Sequence, residues 1–123
     1  MRTVVRWLPA AAWTGVIFWL SSGALPAPGG VEIPDKVAHF AAYAALGALL
    51  WWAAAPLGAR TAAAVAVALG GLYGASDEVH QRFVPGRSAD IRDWAADLAG
   101  VAAAVAIAWA LSRRRSRRPP KTG

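Results

Sequence analysis

The sequence predicts an all-α membrane protein, a bundle of about four transmembrane helices with both termini cytoplasmic. Three observations lead there. Of its 123 residues 57% are hydrophobic, seven are tryptophan and none is cysteine. Residues 37–59, between Lys36 and Arg60, contain no Asp, Glu, Lys or Arg, an uncharged run of 23 residues that is long enough to cross a bilayer core. The charges also separate by sign between alternate ends of the apolar segments.

The first segment, residues 7–21, carries Trp13, Phe18 and Trp19, bulk that suits a retained span. Its basic start and the small residues after its apolar core also fit a cleaved signal peptide. The second, residues 37–55, ends in Trp51 and Trp52, which fit an interfacial belt at the inner face as Trp94 does at the outer. The third, residues 61–76, is short for a bilayer, so it either extends into the polar stretch after it or thins the membrane locally. The fourth, residues 93–111, precedes a basic tail, residues 113–123. A soluble alanine-rich bundle would need a charged face on these runs, and they lack one.

One side of the bundle receives Arg2, Arg6, Arg60, Arg113, Arg114, Arg115, Arg117, Arg118 and Lys121, with no acid. The other receives Glu32, Asp35, Lys36, Asp77, Glu78, Arg82, Arg87, Asp90, Arg92, Asp93 and Asp97. The positive-inside rule places the first set in the cytoplasm and every carboxylate near or beyond the outer face. The net charge of +6 lies largely in the tail beside an apolar segment, where it anchors to anionic lipid rather than reading nucleic acid. The string Asp77-Glu78-Val79-His80 looks like a helicase box, but no G-x-x-x-x-G-K-[ST] phosphate loop accompanies it. The absence of cysteine excludes disulfides, a thiolate zinc site and a cysteine nucleophile.

In lipid, helices associate through close packing of small residues. Gly70-x-x-x-Gly74 and Ala96-x-x-x-Gly100-x-x-x-Ala104 therefore read as packing faces within the molecule. Helical spacing also gathers polar groups at the outer end. Asp35, His39 and Tyr43 share one face of the second span; Asp77, His80 and Gln81 follow the third; Asp90, Asp93 and Asp97 enter the fourth. Tyr43 and Asp97 fall one to two turns inside the membrane, so Asp97 must face the bundle interior or a water-filled pocket.

Each residue also has a purely structural use. Asp35 and Asp90 are placed to cap helices, with Asp93 in a first turn. Asp77 and Glu78 suit a solvated helix end, and His39 a bond to a neighbouring backbone. Pro85-Gly86 is a turn that returns the chain to the membrane. Arg87 suits either phosphate or a salt bridge onto Asp90 or Asp93. Taken together, two histidines, a tyrosine and several carboxylates at one depth form a candidate site. No cofactor motif is present. His39 and His80 with Asp77 or Asp35 suit a divalent metal, although their spacing matches no established motif. Alternatively His39, Asp77, Glu78 and His80 are candidates for acid–base catalysis on an external substrate. The outward-pointing N-termini of the second and fourth spans, with Lys36 and Arg87, favour an anion.

The residues Asp35-Lys36-x-x-His39-Phe40-x-x-Tyr43, Asp77-Glu78-x-His80-Gln81, Pro85-Gly86-Arg87 and Asp93-x-x-x-Asp97-x-x-Gly100, in that order, resemble the VanZ-like family of small bacterial integral membrane proteins. The likeness is strongest over residues 34–100 and makes residues 1–112 a VanZ-like transmembrane domain. It departs at Asp97, where the family pattern usually has asparagine. The resemblance implies a multi-span protein of the bacterial plasma membrane, with members linked to resistance against teicoplanin, a lipid-bearing glycopeptide antibiotic.

The leading expectation is a cell-envelope protein that binds an amphiphilic ligand at the outer leaflet, either such an antibiotic or a lipid-linked wall precursor. Asp35, Lys36, His39, Tyr43, Asp77, Glu78, His80, Gln81, Arg87, Asp93 and Asp97 would line the site, with Glu78, His80 and Arg87 at the membrane surface. A membrane enzyme acting on a lipid head group and a structural assembly protein are the other two readings. The lack of an obvious inverted repeat argues against an autonomous transporter.

Overall fold

The computed structural model describes residues 2–23 and 35–119. Glu32, Pro34 and Lys121, which contribute to the charge pattern and the resemblance above, lie outside the described residues. A single helical turn, Arg2–Val5, leads into α1 (Leu8–Ser21). Then come α2 (Asp35–Ala54), a 3-10 turn (Ala55–Leu57), α3 (Ala59–Gln81) and α4 (Ile91–Ser116), with no strand among the described residues.

Local chemistry explains the boundaries. Pro9 stands in the first turn of α1, where its missing N–H costs no intrahelical bond. Gly58, at φ +96°, turns the chain between the 3-10 turn and α3 in a conformation that side chains disfavour. Asp90 caps α4, its Oδ1 accepting the Arg92 amide at 2.9 Å, as its sequence position predicts. Of the two expectations for the short third segment, the first holds: α3 continues for 23 residues and carries Asp77 and Glu78 in its final turns.

Three stretches are long and apolar enough to cross a membrane: Arg2–Ser21, Asp35–Leu57 and Ile91–Ser116. The α3 helix, with Arg60 in its first turn and two acids near its end, is not among them. It is held instead by its neighbours. The most extensive packing joins α2 to α4, and α3 lies against both; α1 is peripheral and the least buried.

Small residues set those distances. A Cβ added at Gly47 would lie 2.9 Å from Val101 Cα and from its carbonyl oxygen, and one at Gly100 would collide with the Phe40 carbonyl. A Cβ at Gly70 would meet the Val101 side chain at 2.7 Å, and one at Gly74 would press on Asp97 and Trp94. Both small-residue motifs are thus packing faces inside the molecule. Tyr43, Leu46, Leu50, Ala66, Val101 and Val105 fill the space between, with Ala10 and Ile17 reaching it from α1.

Hydrogen bonds fasten the peripheral helix. Trp13 Nε1 donates to the Ala42 carbonyl at 2.8 Å, and Tyr73 donates its hydroxyl to the Thr14 carbonyl at 2.6 Å. Arg6 Nε donates to the Trp52 carbonyl at 3.2 Å while its guanidinium lies 4.1 Å from the Trp52 ring centroid. Trp51 stacks on Trp109 at the same end. The helices alternate in direction, so Arg2 and Ser116 lie at this basic end and all described acids gather at the opposite one.

Candidate functional site

Because α2 and α4 approach at Gly100, His39 on one reaches Asp97 on the other. His39 Nδ1 and Asp97 Oδ1 are 2.7 Å apart, with Asp97 0% exposed. Tyr43, one turn deeper on the same face of α2, donates to Asp77 Oδ2 at 3.2 Å and thereby ties α2 to α3. Asp97 does face the bundle interior, as its depth requires.

The continuation of α3 decides the rest. Glu78 is buried rather than at the surface: the helix does not end at Ser76, and the next turn carries its carboxylate against the start of α4. There Glu78 Oε2 accepts the Asp90 amide at 2.9 Å. Lys36 Nζ lies 3.4 Å from Asp93 Oδ1 and 3.7 Å from Asp90 Oδ2. It takes the position expected of Arg87, whose guanidinium instead donates to the Leu20 carbonyl at 3.4 Å. Asp90 lies outside the helices, and the Arg92 amide bonded to its carboxylate holds its pKa below the ordinary aspartate value.

A cavity of about 220 Å³ opens between α1, α2 and α3 at this acidic end. Asp35, His39, Tyr43, Asp77, Gln81 and Arg87 supply its polar wall. Ile17, Leu20, Ala38 and Ala42 supply the apolar one, with Ser21 at the rim. Sequence reasoning missed the contribution of α1, because an apolar residue facing a cavity and one facing lipid carry the same signal. Glu78, Asp93 and Asp97 lie behind the cavity wall, and Lys36 pairs beside them.

His80 lies apart. Its ring stacks on Phe18 with centroids 4.4 Å apart and planes inclined by 19°. Two groups of three bring potential ligand atoms within 4.8 Å of one another among the described residues: Asp35, His39 and Asp93, and His39, Glu78 and Asp97. Neither includes His80 or Asp77, so the chain's own histidines do not converge.

A second cavity of about 260 Å³ lies deeper in the same seam. Trp7, Ala10, Ala11, Thr14, Leu46, Leu50, Leu69 and Tyr73 line it, and it is almost wholly apolar. On α3, Leu69 and Tyr73 in the deep cavity and Asp77 and Gln81 in the outer one recur every four residues. One helical stripe therefore passes from apolar to polar along the seam.

The VanZ/LLP1 family model matches residues 3–112, nearly the whole chain, and the protein belongs to that family. Comparison with curated proteins and with solved structures returned no significant match.

Proposed function

We propose that this VanZ/LLP1-family membrane protein holds an amphiphilic, lipid-linked molecule in the seam between α1, α2 and α3. The phosphate end of the head group occupies the outer cavity and the start of the acyl or prenyl chain the deeper one. What supports the reading is the pairing of the two cavities, one half-polar and one apolar, along a single stripe of α3. Their sizes narrow the ligand. Each is below the roughly 300–1,000 Å³ of drug-sized pockets, so a whole glycopeptide and the sugar part of a wall precursor both exceed them, and only a lipid chain and the phosphate next to it fit. A lipid-linked wall precursor at the outer leaflet is the ligand class, and any teicoplanin phenotype would arise through that lipid or through the drug's own acyl chain. The outward position of the acidic end follows from the basic residues at the other.

Crosslinking with a photoreactive lipid-linked wall precursor, in long-chain and short-chain forms, tests this in reconstituted vesicles. The long-chain form is expected to label the α1 and α3 walls, and Ala10→Trp, which fills the apolar cavity, to reduce labelling about tenfold while the short-chain form is unaffected. Arg87→Ala should weaken both forms. Labelling that ignores both substitutions sinks the proposal.

The His39–Asp97 pair favours a second reading. A ring held at 2.7 Å by a buried carboxylate and also lining the outer cavity is arranged for proton transfer to a bound head group. Release of a head-group fragment in the same vesicles, lost in His39→Gln, would make the protein an enzyme.

A further inference from the structure

The acidic end carries more buried negative charge than its cations balance. Asp77, Glu78, Asp93 and Asp97 are all buried. Lys36 faces Asp93 and Asp90, His39 faces Asp97 and Asp35, and the Tyr43 hydroxyl on Asp77 is neutral. Even with His39 protonated, two of the four buried carboxylates have no counter-charge among the described residues. An uncompensated carboxylate in a membrane protein interior is strongly disfavoured.

Two of the buried carboxylates also leave an oxygen unpaired. Glu78 and Asp97 are 8% and 0% exposed, and each uses only one carboxylate oxygen. Glu78 Oε1 and Asp97 Oδ2 are buried without a hydrogen-bond partner among the described residues. Carboxylate oxygens orphaned in this way are rare in native interiors and call for an explanation. His39, Glu78 and Asp97 each bring a ligand atom within 4.8 Å of the other two. Gly74 helps keep that space open: a Cβ there would stand 3.1 Å from Asp97 Oδ2.

We propose that His39, Glu78 and Asp97 form a binding site for one divalent transition-metal ion. One imidazole and two carboxylates suit manganese or zinc, and a doubly charged ion neutralises the two carboxylates it touches. The ring position not used for the metal faces a carboxylate, since His39 Nε2 lies 3.8 Å from Asp35 Oδ1, beyond hydrogen-bond distance. Closed to hydrogen-bond distance, such a carboxylate would orient a ligating histidine. The ion would take the place of the His39–Asp97 hydrogen bond, with ligand distances of about 2.0–2.2 Å reached by small shifts of the three side chains. The site draws its donors from α2, α3 and α4, so the ion would cross-link the three helices. The inference stands whether or not an amphiphile occupies the seam.

The test uses the full chain in detergent, stripped of metal and titrated with Mn²⁺ while the free ion is followed by electron paramagnetic resonance. Wild type is expected to bind one equivalent, with nitrogen coupling from one imidazole in the bound spectrum. Glu78→Gln and His39→Gln should each weaken binding by about tenfold or more, since loss even of an outer-shell partner costs that much. His80→Gln should bind as wild type. Zn²⁺ should displace the Mn²⁺. The proposal is overturned by a wild type that binds no ion, by bound Mn²⁺ without nitrogen coupling, or by loss of binding in His80→Gln. The wild-type spectrum alone decides the matter should a substituted chain fail to fold.

Discussion

The two ends of the bundle hold opposite charges in opposite ways. At the basic end, Arg2, Arg60, Arg113, Arg114 and Arg115 are exposed or nearly so, and Arg6 lies over the Trp52 ring. None is committed to a buried contact, and any of them keeps its hydration. At the acidic end, Asp77, Glu78, Asp93 and Asp97 are buried, and each is held by a named partner on a neighbouring helix or, for Glu78, at the cap of one. Exposed charge costs little and suits topology, where only sign and side matter. Buried charge costs several kcal/mol per ion unless compensated, so it is tied to something the protein does there. The difference teaches where to look for function: at the end where charge is expensive.

The largest expected effect tests the sidedness of that contrast and is close to all-or-none. Cysteine at Ser88, in the loop of the acidic end, and cysteine at Ser116, in the last turn of α4, should label from opposite sides of the membrane. An impermeant maleimide applied to intact cells should reach position 88 first. Preferential reaction at position 116 would reverse the orientation and turn the acidic end to the cytoplasm.

A smaller effect concerns the packing beneath the buried charges. Gly100→Ala drives a methyl into the Phe40 carbonyl and the Ala44 amide, both backbone, which cannot move aside cheaply. Overpacking of this kind costs about 1–3 kcal/mol, and the upper half is expected here because it forces α2 and α4 apart at the level of His39 and Asp97. At the other end, Arg114→Gln should change stability by less than about 0.5 kcal/mol, as exposed substitutions do. Unfolding in mixed micelles compares the two, and equal effects would break the contrast.

The smallest effect is in pH. The Asp90 carboxylate is held below its ordinary pKa by the Arg92 amide, so ionised Asp90 favours the folded protein. That contribution is present in full above the unfolded aspartate value of about 3.9 and is lost as pH falls through the lower folded value. Asp90→Asn keeps an N-cap but removes the titration. The difference in melting temperature between wild type and Asp90→Asn should shrink slightly on acidification below about pH 4. A constant difference between the two proteins would show that the cap carries no charge-dependent part.

Much of this architecture is legible in the chain. The uncharged run before Arg60, the signs of the flanking charges and the spacing of Asp35, His39 and Tyr43 specify helices, their alternation and a polar end. These are local or additive properties, since hydropathy depends on composition and a helix face on periodicity. Gly70, Gly74 and Gly100 also announce close packing, because small residues at every fourth position form a groove whatever fills it.

Partnership was not legible, because it depends on how helices far apart in the chain rotate and cross. Sequence spacing paired His39 with His80, both imidazoles at one depth. The crossing at Gly47 and Gly100 instead turns His39 toward Asp97, and the rotation of α3 turns His80 against Phe18. Glu78 read as a surface residue because it follows the apolar segment, yet the unbroken helix carries it inward. The apolar walls from α1 had no distinguishing signal, since lipid and an apolar cavity select the same side chains. The sequence by itself determined helices, charge sides and the polar end, through properties each segment carries alone. Only the tertiary structure decided which carboxylates are buried, which atoms they meet and where the seam opens, because those depend on contacts between residues 12 to 58 positions apart in the chain.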